Sequence, residues 1–118
     1  MITHSARFEK SQFDSLFAPS SIAVIGASCN PLKVGHAIVK NLIEDGFEGT
    51  LYPVNPNEAE VLGLKAFPDI ATIDAKIDLA IIVLKAGFVP SVLEECGKLG
   101  IQSVVVISAG FREMDTYQ

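Results

Sequence analysis

At 118 residues the chain falls short of the ~150 residues of a typical domain, so a single core is expected. Hydrophobic residues make up 49% and charged residues 19%, which excludes disorder, and six prolines and nine glycines match no low-complexity class. The net charge of −5, with nine scattered Lys and Arg, argues against a general nucleic-acid binder.

Met1–Phe8 carries polar residues where the apolar segment of a leader would begin, and residues 1–12 read as a tail ahead of a domain over 13–118. Ser11 is a candidate cap for a short helix that places Phe13, Leu16 and Phe17 on one face, broken by Ala18-Pro19-Ser20. Ile22–Ile25 is an all-apolar run ending at Gly26, the pattern of a strand buried on both faces of a parallel sheet. From Val34 the period becomes helical, with Val34, Ile38 and Leu42 in one stripe and Gly46 placed for a left-handed C-cap. Thr50–Val54 forms the second strand, although Pro53 belongs at a strand end or edge, and Asn55-Pro56-Asn57 turns it. Leu64–Phe67 reads as a short third strand, followed by a helical turn from Pro68-Asp69 to Ile73. Leu79–Leu84 carries the strongest strand signal. A helix follows with Val89, Val92, Cys96 and Leu99 on one face, Pro90 in its first turn and Gly100 past its end. Ser103–Ile107 is the last strand, and Ser108–Phe111 its carboxyl-end loop. This order predicts an α/β fold with a mainly parallel, twisted sheet, right-handed crossovers and helices on both faces.

The longest apolar runs, Leu79–Leu84 and Val104–Ile107, fall far short of the ~18 residues of a bilayer span, and no secretory leader opens the chain. The sequence therefore predicts a cytoplasmic domain with no membrane partner. Two cysteines, Cys29 and Cys96, make neither a disulfide framework nor a zinc signature. His4 and His36 lack a metal-ligand partner at helical spacing, so no metal site is expected.

Ligands of open parallel sheets bind at the carboxyl ends of the strands. That rule selects the loops Gly26–Val34, Asn55–Asn57, Lys85–Gly87 and Ser108–Phe111. The first is the most informative. Gly26, Ala27 and Ser28 follow the strand, and Lys33, Val34 and Gly35 open the helix, so small residues, a hydroxyl, an ammonium group and a helix N-terminus converge on one place. Such a loop is a phosphate cradle in type, and the reading it displaces is a tight strand-to-helix turn that binds nothing. The dinucleotide fingerprint departs at two points: Ser28 stands where its second glycine belongs, and Asn55 where a ribose-binding acid belongs. No Walker A loop is present. Cys29 reads as an ordinary loop thiol, Cys96 as core, and His36 as non-catalytic. No nucleophile–base–orienter set can be assembled.

Phe17–Ser28 with Pro31–Gly35, then Leu51–Pro56, Val61-Leu62-Gly63 and Val104–Phe111, resemble the amino-terminal CoA-binding domain of ADP-forming acetyl-CoA synthetases, acid–CoA ligases related to the α subunit of succinyl-CoA synthetase. The resemblance implies a Rossmann-like fold, coenzyme A as cofactor and no catalytic residue in this chain. It places the CoA phosphates on Gly26–Gly35, with Ser28 and Lys33 as polar contacts, and the adenosine end beside Val54, Asn55 and Pro56. It lines the pantetheine path with Lys85, Ala86, Ala109 and Gly110. Leu84-Lys85-Ala86 departs from the Val-Pro-Ala common in the family. Downstream ligase and ATP-grasp domains or subunits are the implied partners, and the chain reads as a fragment of a longer protein. Other readings are a free-standing CoA-binding protein and an NAD-binding regulatory module.

Overall fold

The computed structural model describes residues 16–107. Four parallel strands form the main sheet: β1 (Ser21–Ile25), β2 (Thr50–Val54), β5 (Leu79–Ile82) and β6 (Ser103–Val106), in the order β2-β1-β5-β6. Helix α1 (Val34–Glu44) links β1 to β2, and α2 (Val89–Lys98) links β5 to β6. Between them, β3 (Glu60–Val61) and β4 (Leu64–Lys65) make an antiparallel hairpin of their own. β1 pairs with β2 on one side and β5 on the other, so the chain reverses direction across the sheet at β1. The crevice beyond the carboxyl ends of β1 and β5 is therefore the topological switch point.

All five residues of β1 are buried because both faces of the sheet are covered. Ile22 and Val24 pack with Val39, Ile38 and Leu42 under α1, whereas Ala23 and Ile25 pack with Ala80, Ile82, Val92 and Cys96 under α2. The predicted helix stripe needs one adjustment. Val34 is exposed, and the buried positions of α1 are Gly35 and Val39, so the seam is shifted by one residue. On α2, Leu99 is likewise exposed and Cys96 holds the core position. Gly46 and Gly100 end the two helices at φ values of 82° and 76°, the left-handed conformation that a β-carbon disfavours.

Pro53 sits inside β2 at no cost to the ladder. Thr50 N–H donates to Ser20, and the Val54 carbonyl accepts from Gly26, so alternate residues of β2 face β1. Pro53 faces the other way, where its carbonyl accepts the Phe67 N–H at 2.9 Å. The third strand expected over Leu64–Phe67 is not a continuous element. Its first two residues pair with Glu60–Val61, and Phe67 alone bridges to Val54. Leu62 (φ 52°) and Gly63 (φ 84°) form the two-residue turn of that hairpin, both in the left-handed region its twist requires. The amino-terminal helix falls mostly outside the described residues, as do Ala109, Gly110 and the rest of the last loop. Among the described residues, no helix is long and apolar enough to cross a membrane.

Candidate functional site

A cleft of about 620 Å³ opens at the switch point. The loop after β1 lines it through Gly26, Ser28 and Lys33, and the turn after β2 through Val54, Asn55, Pro56 and Asn57. Lys85 and Phe88 come from the segment before α2, and Ser91, Val92 and Glu95 from α2 itself. Pro68 and Asp69 close one side, and Ile25, Ile70, Val83 and Leu84 form an apolar floor. The volume falls within the ~300–1,000 Å³ of small-molecule sites.

Two glycines set the loop's path. Gly26 has φ 101°, and a Cβ there would overlap the Val83 carbonyl oxygen. A Cβ on Gly35 would overlap the Gly26 carbonyl oxygen, so the start of α1 lies against the end of β1. The missing side chain at Gly35 makes room for the protein's own backbone. The Gly26 N–H is also engaged, donating to Val54 at 2.9 Å as the sheet's last rung.

Beyond Gly26 the loop is organised by short polar side chains. Ser28 Oγ accepts the Asn30 N–H at 2.9 Å, which leaves the hydroxyl proton free to be donated. Asn30 Oδ1 accepts from Leu32 N–H at 2.9 Å, and the Asn30 carbonyl from Lys33 N–H at 3.0 Å. Two donors from outside the loop then grip its carbonyls. Asn55 Nδ2 donates to Ala27 O at 2.7 Å, and His36 Nδ1 donates to Ser28 O at 2.9 Å. Asn55 Oδ1 meanwhile accepts the Asn57 N–H at 2.8 Å, an Asx turn, so one side chain ties the first two loops together. Helix α1 begins at Lys33 with no side-chain cap, which leaves its positive end open to an anion.

The predicted residues therefore divide by role. Gly26, Ser28, Lys33, Val54, Asn55, Pro56 and Lys85 line the cleft. Ala27, Val34, Gly35 and Ala86 do not: Ala27 and Gly35 are buried beneath the loop, Val34 turns outward, and Ala86 begins the 3-10 turn Ala86–Phe88. Asn57 lines the cleft too, within the loop Asn55–Asn57 that strand order selects, whereas Pro68, Asp69, Phe88, Ser91 and Glu95 were not anticipated. Asp69 follows Phe67, whose bridge to Val54 carries it to the cleft, a long-range placement with no motif to announce it. The gripping role of His36 was missed as well, although its position one turn past Lys33 at a helix start is a usable signal.

Cys29 is exposed, and its Sγ donates to Glu60 O at 3.0 Å. A hydrogen bond with Glu58, and then local loss of solvent and the negative charges of Glu58 and Glu60, push its pKa up, so the thiol form is favoured. Burial raises the pKa of Cys96 too. Both cysteines are thus held toward the protonated thiol.

The chemistry of the cleft suits a ligand with an anionic head and an apolar arm. Lys33, Lys85, the Ser28 hydroxyl and the open end of α1 are donors for phosphate, and Ile25, Val54, Val83 and Leu84 offer apolar wall. Asp69 and Glu95 put two acids on the same cleft, so anion affinity depends on local contacts.

A family model described as a CoA-binding domain matches residues 20–116. The α subunit of ADP-forming acetate–CoA ligase I from Pyrococcus furiosus is 50% identical over 105 residues, covering 86% of this chain and 23% of the ligase subunit. The ADP-forming 4-hydroxybutyrate–CoA ligase of Nitrosopumilus maritimus is 46% identical over 100 residues, covering 85% of this chain and 14% of that protein. The apo structure of dinucleotide-forming acetyl-coenzyme A synthetase 1 from Ca. Korarchaeum cryptofilum superposes with a TM-score of 0.80 at 42% identity, over 89% of this chain and 23% of that one. The chain thus spans a quarter or less of these relatives' length. Its parallel sheet and the loops that build the cleft all lie within the matched residues, and the chain belongs to the CoA-binding domain family.

Proposed function

We propose that this chain holds coenzyme A in the switch-point cleft and presents its thiol to an acid–CoA ligase active site built by other domains or subunits. The observation that carries this reading is the convergence of Ser28, Lys33 and the uncapped start of α1 beside an apolar floor, inside the family match. The diphosphate lies over the loop from Gly26 to Gly35, and the Ser28 hydroxyl and the Lys33 ammonium donate to it. The adenosine end rests near Val54, Asn55 and Pro56, and the pantetheine arm runs past Lys85.

ADP-forming acid–CoA ligase activity is read from the relatives' names, together with the chain's small share of their length. Fixing one reactant in place contributes to rate without any reacting side chain in the holder. Calorimetric titration with CoA, dephospho-CoA and NAD tests the reading. CoA is expected to bind tightest, dephospho-CoA more weakly and NAD far more weakly. Tighter binding of NAD than of CoA would overturn it.

A further inference from the structure

We infer that His36 is a positioning residue for the anion loop, acting through the Ser28 carbonyl. A carbonyl oxygen only accepts, so the 2.9 Å contact requires the proton on Nδ1. The half-buried ring stands in the first turn of α1, and Gly35 beside it locks that turn against β1. His36 therefore reaches the loop from a rigid base.

The remaining bonds of residues 28–33 show why this contact matters. Asn30 to Ser28, Leu32 to Asn30 and Lys33 to Asn30 are all internal, and they shape the loop without fastening it to the fold. Asn55 fastens the preceding peptide through Ala27, and the Cys29 thiol adds only a weak donor to Glu60. The His36 bond fixes the Ser28–Cys29 peptide plane. Because that peptide is trans, its N–H points away from the helix when its carbonyl points toward the ring. The loop then offers donors, and its carbonyl dipole is kept away from an incoming phosphate.

This inference rests on the CoA reading, and its test separates the two. CoA affinity is measured by calorimetry for wild type and for His36→Ala, His36→Asn and His36→Gln, at a temperature where circular dichroism shows each variant folded. Asn carries its donor one bond beyond Cγ, as Nδ1 does. Gln carries it one bond further, where Nε2 lies. We expect His36→Ala and His36→Gln to weaken CoA binding about five- to tenfold, as for the loss of one hydrogen bond, and His36→Asn to restore it to within about twofold. Restoration by Gln and not by Asn would mean that Nε2 touches the ligand, and would overturn the positioning role. Unchanged affinity in His36→Ala would overturn it too. Should the Ala variant fail to fold, the Asn and Gln pair decides alone. Failure of the wild type to bind CoA rejects the CoA reading itself, and this inference with it.

Discussion

Lys33 and Gly35, two residues apart, do different work. Lys33 is exposed at the mouth of the cleft, so its replacement removes a charge from a ligand without disturbing packing. Lys33→Ala is expected to cost about 1–2 kcal/mol of CoA binding, the low end for a charged hydrogen bond because solvent screens an exposed ammonium, with no change in melting temperature. Gly35→Ala places a methyl group onto the Gly26 carbonyl, and neither backbone can yield without parting α1 from β1. A loss of roughly 3 kcal/mol in chemical denaturation is expected. A wild-type denaturation curve for that variant would contradict the packing role. Cys29 gives a reactivity prediction. Its raised pKa means less thiolate at neutral pH, so iodoacetamide should react more slowly than with a free cysteine, and faster as pH rises. Glu58→Gln removes the neighbouring carboxylate and is expected to speed the reaction. A slower rate in that variant would reject the assigned cause.

Among the elements, β1, α1, β2, β5, α2 and β6 were legible because burial on one or both faces writes a period into the sequence. Ile22–Ile25 and Leu79–Ile82 lie in the sheet's interior, where only apolar residues fit. Leu64–Phe67 is not one strand because its four residues hold two separate partnerships, a hairpin at Leu64–Lys65 and a lone bridge at Phe67. Apolar pattern alone cannot distinguish those from a continuous strand. The hairpin turn yields a stability prediction. Leu62 holds φ 52° and is 42% exposed, so it pays a left-handed penalty without a fully buried side chain to offset it. Leu62→Asn is expected to raise stability by about 0.5–1 kcal/mol, read as a higher urea midpoint. A lower midpoint would mean that the Leu62 side chain packs more than its exposure indicates.

For the whole molecule, the carboxyl-edge rule selects the end of the sheet where the cleft opens, and Gly26, Ser28 and Lys33 of the first loop line it. What the sequence could not show was division of labour within that loop. Ala27 and Gly35 are neighbours of the cleft in sequence yet lie beneath it, while Asp69 and Glu95 reach it from elements far along the chain. Such placement depends on tertiary contacts, which leave no local pattern. The proposed role also predicts what the chain lacks. Purified protein given acetate, CoA, ATP and magnesium is expected to form no acetyl-CoA, and turnover would place catalysis in this domain. Amide chemical-shift mapping during a CoA titration shows whether CoA occupies the switch-point cleft with its phosphates on the loop after β1. The largest shifts are expected at residues 26–36, with a second group at 55–57 and 84–88. Shifts concentrated on the β3–β4 turn or at the amino-terminal edge of the sheet, with residues 26–36 unmoved, would contradict that placement.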